Sequence, residues 1–298
     1  MQITSNYLSL RAVKYVLMQL LHTKQELKRY LFPLISKSKT IGLVPTMGAL
    51  HLGHVSLIQK AYQENECVVV SIFVNPTQFN NAEDLKKYPK TLDQDIALIQ
   101  KVSPDIIIYA PSVEEIYQDQ VKAEKYNFDG LDVVMEGEFR ANHFDGVGTI
   151  VEELLTSVKP NRAYFGEKDF QQLQIIKKLV AIKNIPVKII GCAIVREENG
   201  LAMSSRNERL SPKLRQKASF IYETLHTAKE KFGTKSALEV TNWVKGQFEK
   251  EENFKLEYFQ ITDIDRLKPL KRKLKNKQYR AFIAVFADDV RLIDNIAL

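Results

Sequence analysis

Cysteine is scarce, with two among 298 residues, Cys67 and Cys192. Each lies inside a β-rich run and neither belongs to a CxxC pair, so neither a disulfide framework nor a cysteine zinc site is supported. Two buried, reduced thiols are expected. Long apolar runs are also missing. The strongest, CVVVSIFV and DIIIYAP, are strand-sized and far short of the ~20 residues that a membrane-crossing helix needs. The opening stretch MQITSNYLSLRAVKYVLMQLLHTK has some helical periodicity but no uninterrupted apolar centre and no small-residue cleavage site. A retained segment and a cytoplasmic protein are expected.

Acid is absent from one stretch. Residues 266–280, RLKPLKRKLKNKQYR, hold eight Lys or Arg, and without them 35 bases face 36 acids. That segment carries the whole excess behind the formal charge of +7. Such a run can meet nucleic-acid phosphates or steer anions, but its only aromatic is Tyr279. A solvated loop is the preferred reading and nucleic acid is disfavoured as a partner.

What is present is a globular composition, 45% hydrophobic and 27% charged, sufficient for one large or two modest domains. From about residue 40, β-rich runs alternate with helical ones, the pattern of a Rossmann-like α/β domain with a parallel sheet. Strands are expected at 40–46, 67–74, 105–111, 162–166 and 187–195, and helices at 54–65, 91–102, 146–159 and 169–184. Residues 121–145 have no clear period. After residue 200, two helical patterns precede three strand-like ones, which suggests a smaller α+β domain. The expected division is 1–198 and 199–298, joined within REENGLAMSSRN, with 1–38 a mainly helical N-terminal extension.

The stretch VPTMGALHLGH, residues 44–54, places His51 and His54 three positions apart after the first strand of this alternation. In an open α/β sheet ligands bind beyond the carboxyl ends of the strands, where a helix N-terminus offers free N–H groups to an anion. Gly48 and Gly53 would let the backbone turn and approach a nucleotide. The histidines could donate to phosphate oxygens and, when protonated, neutralise charge. Two plainer readings compete, helix capping and half of a metal site. Only His22, His143 and His226 remain and there is no HExxH, which disfavours zinc.

Three further clusters favour phosphate chemistry. GLAMSSRN brings Met203, Ser204, Ser205 and Arg206 to the domain junction, where hydroxyls, amides and a guanidinium could wrap a triphosphate. YFGEKDFQQLQ places Lys168 and Asp169 at a strand end, with Gln172 one turn on; Lys168 can reach phosphates, and Asp169 can cap the helix or meet ribose or hydrated Mg²⁺. FVNPTQF supplies Asn75 and Gln78, uncharged groups suited to a hydroxy acid. Asp93 and Asp95 follow as outer-shell magnesium candidates, with a capped helix an equally good account of them.

VPTMGALHLGH, FVNPTQF, FGEKDFQQL and AMSSRN, in this order and spacing, resemble the pantothenate synthetase family of HIGH-type nucleotidyltransferases over about residues 40–210. The resemblance implies joining of (R)-pantoate to β-alanine with ATP and magnesium through a pantoyl-adenylate, releasing AMP and pyrophosphate. It also implies an ATP site of Met47, Gly48, Ala49, Leu50, His51, Leu52, Gly53 and His54, with Gly166, Glu167, Lys168, Asp169, Val195 and Met203 to Arg206. His54 would be a general acid, and His51, Lys168 and Arg206 would stabilise charge. Gln78 and Gln172 would hold pantoate, helped by Asn75, with Arg140 on ATP or phosphate. A homodimer through the larger domain is implied as well.

Two departures stand out: Leu52 where the family has an acidic or polar residue, and RANHF at 140–144 where it has R-P-G-H-F. The competing enzyme reading, a HIGH-type adenylyltransferase acting on a phosphate ester, would place basic groups around its acceptor in place of Gln78 and Gln172.

Overall fold

A computed structural model describes residues 18–270 and 272–298. Six parallel strands, β1 (Leu20–Leu21), β2 (Ile41–Thr46), β3 (Cys67–Ile72), β4 (Ile107–Tyr109), β5 (Arg162–Gly166) and β6 (Lys188–Cys192), form one sheet in the order β1-β4-β3-β2-β5-β6. All five strands expected from the sequence are there. Their side chains alternate between faces, as the two-residue strand period requires. Leu43, Val69 and Phe165 enter a core with Leu154 and Ile176, whereas Val44, Val70 and Tyr164 enter another with Ile58 and Ile99.

The helices covering the sheet are α1 (Lys24–Ser36), α2 (Leu52–Glu64), α3 (Ala82–Lys87), α4 (Leu92–Val102), α5 (Val113–Tyr117), α6 (Glu136–Phe139), α7 (His143–Val158) and α8 (Phe170–Lys183). Residues 1–17 of the expected N-terminal extension lie outside the described residues. The remainder is only partly helical: β1 adds an edge strand beside β4, and α1 starts at a Thr23–Glu26 capping box. The stretch 121–145 runs mostly without regular structure until the single turn of α6. Asn142, at the N-terminus of α7, has φ of 60°. It occupies the glycine position of R-P-G-H-F, and asparagine tolerates this left-handed geometry.

Strand order reverses between β2 and β5, so the crevice at their carboxyl ends is where an open α/β sheet takes its ligand. The chain then forms α9 (Pro212–Lys217), α10 (Ser219–Phe232) and α11 (Ala237–Phe248), followed by β7 (Lys255–Asp263), β8 (Tyr279–Ala287) and β9 (Val290–Ala297). These three strands make an antiparallel sheet in sequence order. In β8, Ala281, Ile283 and Val285 pack with Ile221, Leu225 and Val244, while Phe282 joins the core of the larger sheet. The small sheet therefore leans on the large one across the crevice. The basic run 266–280 is not one solvated loop, because Tyr279 and Arg280 begin β8 and are buried.

Helix α7 approaches the Pro76–Gln78 turn through Gly146. A Cβ there would sit 2.7 Å from the Gln78 backbone nitrogen and closer still to the Thr77 carbonyl. Gly146→Ala is expected to cost about 1–3 kcal/mol as overpacking against backbone, lowering Tm by several degrees. Thermal unfolding followed by circular dichroism checks it, and an unchanged Tm would mean that the two segments are free to separate.

Candidate active site

The crevice begins with a turn. After β2, Gly48 and Ala49 both have positive φ, 81° and 49°, and Gly48 N donates to Thr46 Oγ1 at 3.3 Å. Asp95 holds the turn from α4: Oδ2 accepts from Ala49 N at 3.1 Å and Oδ1 from Leu50 N at 2.7 Å. Burial raises the Asp95 pKa, opposed chiefly by these two amides. This corrects the outer-shell magnesium role expected of Asp95, whose oxygens serve the backbone. Asp93 is exposed on the first turn of α4 and does not line the crevice.

The turn delivers His51 to the N-cap of α2. His51 Nδ1 accepts from Gly53 N at 3.1 Å, and His54 Nδ1 accepts from His51 N at 3.3 Å. A ring nitrogen that accepts an amide proton is unprotonated, so in each neutral ring the proton sits on Nε2. The ring centroids lie 4.1 Å apart. The helix-cap reading is met: Nδ1 of each ring caps, which leaves Nε2–H as the donor of each. Gly53 leaves room for the first ring, since a Cβ there would lie 2.8 Å from His51 Cε1.

Desolvation, then Lys168, pushes the His51 pKa down to about 4; desolvation, then His51 and Lys168, pushes His54 down to about 3. Both are thus neutral near pH 7 in the ligand-free fold, so of the two expected actions hydrogen-bond donation is open to them and neutralisation by a protonated ring is not.

The crevice has a cavity volume of about 260 Å³. Met47, His51, Gly53 and His54 line one wall, and Gly166, Lys168, Asp169, Gln172 and Val195 another. Met203 to Arg206 close a third side, where Met203 N donates to Val195 O at 3.0 Å and Ser204 Oγ accepts from Arg206 N at 3.2 Å. Arg206 meets Asp84 of α3 at 3.0 Å, so grasping a phosphate requires it to exchange partners. Of the expected residues, Gly48, Ala49 and Leu50 shape the turn without lining the cavity, and Leu52 is 59% exposed beside it. Glu167 turns away to Arg280 at 3.0 Å.

At the far end, Gln78 is buried and fixed on several sides. Asn75 Nδ2 donates to Gln78 Oε1 at 3.1 Å and to Gly146 O at 3.0 Å, and Gln78 Nε2 reaches Met47 Sδ at 2.9 Å. The Gln78 carbonyl accepts from Arg140 Nη2 at 3.3 Å and from His143 Nδ1 at 2.8 Å.

Sequence reasoning missed His143, whose signal lay in RANHF; burial, then Arg140, lowers its pKa to about 4. It also missed Glu136, which lines the cavity, accepts from Tyr258 at 2.8 Å and takes Arg291 at 2.7 and 2.8 Å. Gln171 and Gln172 both line the crevice, but the Gln171 amide nitrogen is spent on the Leu131 and Val134 carbonyls.

A parallel sheet whose first crevice helix is capped by an HxGH turn has the build of the HIGH-type nucleotidyltransferases. The pantoate-β-alanine ligase family model matches residues 19–297. The chain is 59% identical over 273 residues to the pantothenate synthetase of Flavobacterium psychrophilum, spanning 92% of this chain and 97% of the relative. It is 54% identical over 281 residues to that of Christiangramia forsetii, spanning 94% and 99%.

Among solved structures, pantothenate synthetase from Thermus thermophilus matches with a TM-score of 0.85 at 38% identity, covering 94% of this chain and 99% of that one. Pantoate-β-alanine ligase from Francisella tularensis, complexed with β,γ ATP and β-alanine, matches with a TM-score of 0.76 at 38% identity, covering 94% and 97%. The chain belongs to the pantoate-β-alanine ligase family, whose members form pantothenate in an ATP-dependent reaction.

The depressed histidines carry a pH signature. Unfolded, each titrates near its ordinary value of 6.5, whereas His51 and His143 are held at about 4 and His54 at about 3 in the fold. Below pH 6.5 the unfolded chain binds more protons, so the histidine contribution to stability is lost as pH falls from about 6.5 towards 4. Histidine ring resonances followed by NMR should show three midpoints below pH 5 in the ligand-free protein; midpoints above 6 would contradict the buried, neutral assignment.

Proposed function

We propose that this chain joins pantoate to β-alanine through a pantoyl-adenylate, with the roles distributed as follows. The ATP triphosphate lies along the N-terminus of α2, between the imidazoles and the Lys168 and Arg206 cations. A pantoate carboxylate oxygen attacks the α-phosphorus, the bond to the bridging oxygen breaks, and pyrophosphate leaves with the electron pair. His51 and His54 donate Nε2–H bonds to the oxygens on which charge grows, and because its ring is neutral His54 fills the acid position as a hydrogen-bond donor that keeps its proton. Lys168 and Arg206 stabilise the same charge. The β-alanine amine then attacks the acyl carbon and AMP departs. No covalent enzyme nucleophile is needed.

Gln78 and Gln172 hold pantoate, with Asn75 orienting Gln78: Asn75 Nδ2 donates to Gln78 Oε1 and so sets the Gln78 amide nitrogen towards Met47 on the crevice wall. Arg140 and Asp169 serve the nucleotide side. The observation that carries this reading is the His51–His54 capping arrangement, because it leaves two neutral Nε2–H donors on the crevice wall at the N-terminus of α2. Among the described residues, no group of three or more His, Cys, Asp or Glu could hold a metal ion. Magnesium would therefore arrive on the triphosphate and offset the charge of its oxygens.

The proposal extends to a nucleotide-binding unit over 1–198 and a smaller one over 199–298, the second closing the crevice from β7 to β9. It also includes a cytoplasmic homodimer, which rests on the family resemblance. Among the described residues, no helix is long and apolar enough to cross a membrane.

Exchange of labelled pyrophosphate into ATP, with magnesium and pantoate but no β-alanine, tests the first half-reaction. Exchange that depends on pantoate is expected, and ATP binding without exchange would sink the adenylate. His54→Ala is expected to lower kcat by ~10²-fold, the scale of losing one preorganised stabiliser. Gln78→Ala should raise the pantoate KM with a smaller effect on kcat; an unchanged pantoate KM would remove Gln78 from the site.

A further inference from the structure

The Glu167–Asp169 turn, which carries Lys168, links β5 directly to α8, and no side-chain cap bond closes either the turn or the helix start. Its restraint comes from the other end of the chain. Asn295 Nδ2 donates to the carbonyl oxygens of Glu167 at 2.9 Å and Lys168 at 2.8 Å. We infer that Asn295, on β9 of the small sheet, is a positioning residue for Lys168 in the ATP reaction, an inference that rests on the role given to Lys168 above.

The Asn295 amide has one possible orientation. Arg280 Nη1 donates to Asn295 Oδ1, and a guanidinium cannot accept, so the amide nitrogen must face the two carbonyls. Arg280 in turn is held by Glu167 at 3.0 Å through Nη2 and lies 4.1 Å from the Phe170 ring centroid. Asn295 is 1% exposed and Arg280 9%, so no solvent competes strongly for these groups.

The neighbouring Asp294 lines the crevice and anchors the strand, taking Arg196 at 2.6 and 3.0 Å. Lys168 Nζ lies 3.5 Å from Asp169, a loose contact, so the firm restraint on this residue is the bond from Asn295 to its carbonyl. The small sheet therefore sets the register of the lysine by gripping the carbonyl of the lysine itself. A charge stabiliser displaced by an ångström loses much of its value, on the order of 10²-fold in the most sensitive cases.

A residue that merely cements two sheets would lower stability and scale every activity together. A positioning residue instead loses its effect once the side chain it positions is gone. Pantoate-dependent pyrophosphate exchange is to be measured for Lys168→Ala, Asn295→Asp and the double variant, with thermal melting on each.

Asn295→Asp keeps the size but sets oxygen against both carbonyls. It is expected to lower kcat by ~10-fold while the pantoate KM stays within about 2-fold. Lys168→Ala is expected to lower kcat by ~10²-fold, and the double variant should fall within about 3-fold of Lys168→Ala. Should Asn295→Asp fail to fold, Asn295→Ala removes the donors without adding charge and carries the same cycle. Losses that multiply in the double variant would overturn the inference alone. Normal exchange in Lys168→Ala would overturn the reading of the lysine, and the inference with it.

Discussion

The two hydrogen bonds from the Ala49 and Leu50 amides to the Asp95 carboxylate hold the Gly48–Ala49 turn in a left-handed geometry that an unsupported chain seldom keeps. Everything at the front of the crevice depends on that turn. It ends β2, aims the first turn of α2 at the switch between β2 and β5, and makes His51 the N-cap. With His51 fixed by Gly53 N, the second ring falls into place as the acceptor for His51 N. A carboxylate that does not itself line the crevice thus decides where two donors stand.

The electrostatic character follows from the same packing. A helix N-terminus, Lys168 and Arg206 all favour an anion, and protonated imidazoles beside them would repel both the lysine and each other. Burial resolves the conflict by keeping the rings neutral. Hydrogen-bond donors and full charges thus stand on separate walls of the crevice. Arg206 meets Asp84, and Lys168 makes a loose contact with Asp169.

Much of this was legible in the sequence because it is local. The inner strands announce themselves by apolar runs of strand length, and three of the four motifs sit at strand ends, so the parallel topology gathers them into one crevice; AMSSRN returns to it through the Arg196–Ala202 bridge. What was hidden is non-local or short. β1 has two residues, too few for a period to register. Asp95 looked like a metal candidate because its partners lie 45 and 46 positions away. The wall formed by Glu136, Tyr258 and Arg291 depends on how the small sheet leans across. One signal was available: Asp294 and Asn295 interrupt the apolar run of Leu292, Ile293 and Ile296 in β9, and both are buried.

The adenylate route requires an oxygen of pantoate to become bonded to the α-phosphorus of ATP. The measurement that reaches this most directly is transfer of ¹⁸O from carboxyl-labelled pantoate, with the AMP product analysed by mass spectrometry after a complete reaction with β-alanine. One ¹⁸O in the phosphate of each AMP is the result predicted. AMP without label, or label in inorganic phosphate, would contradict the adenylate route.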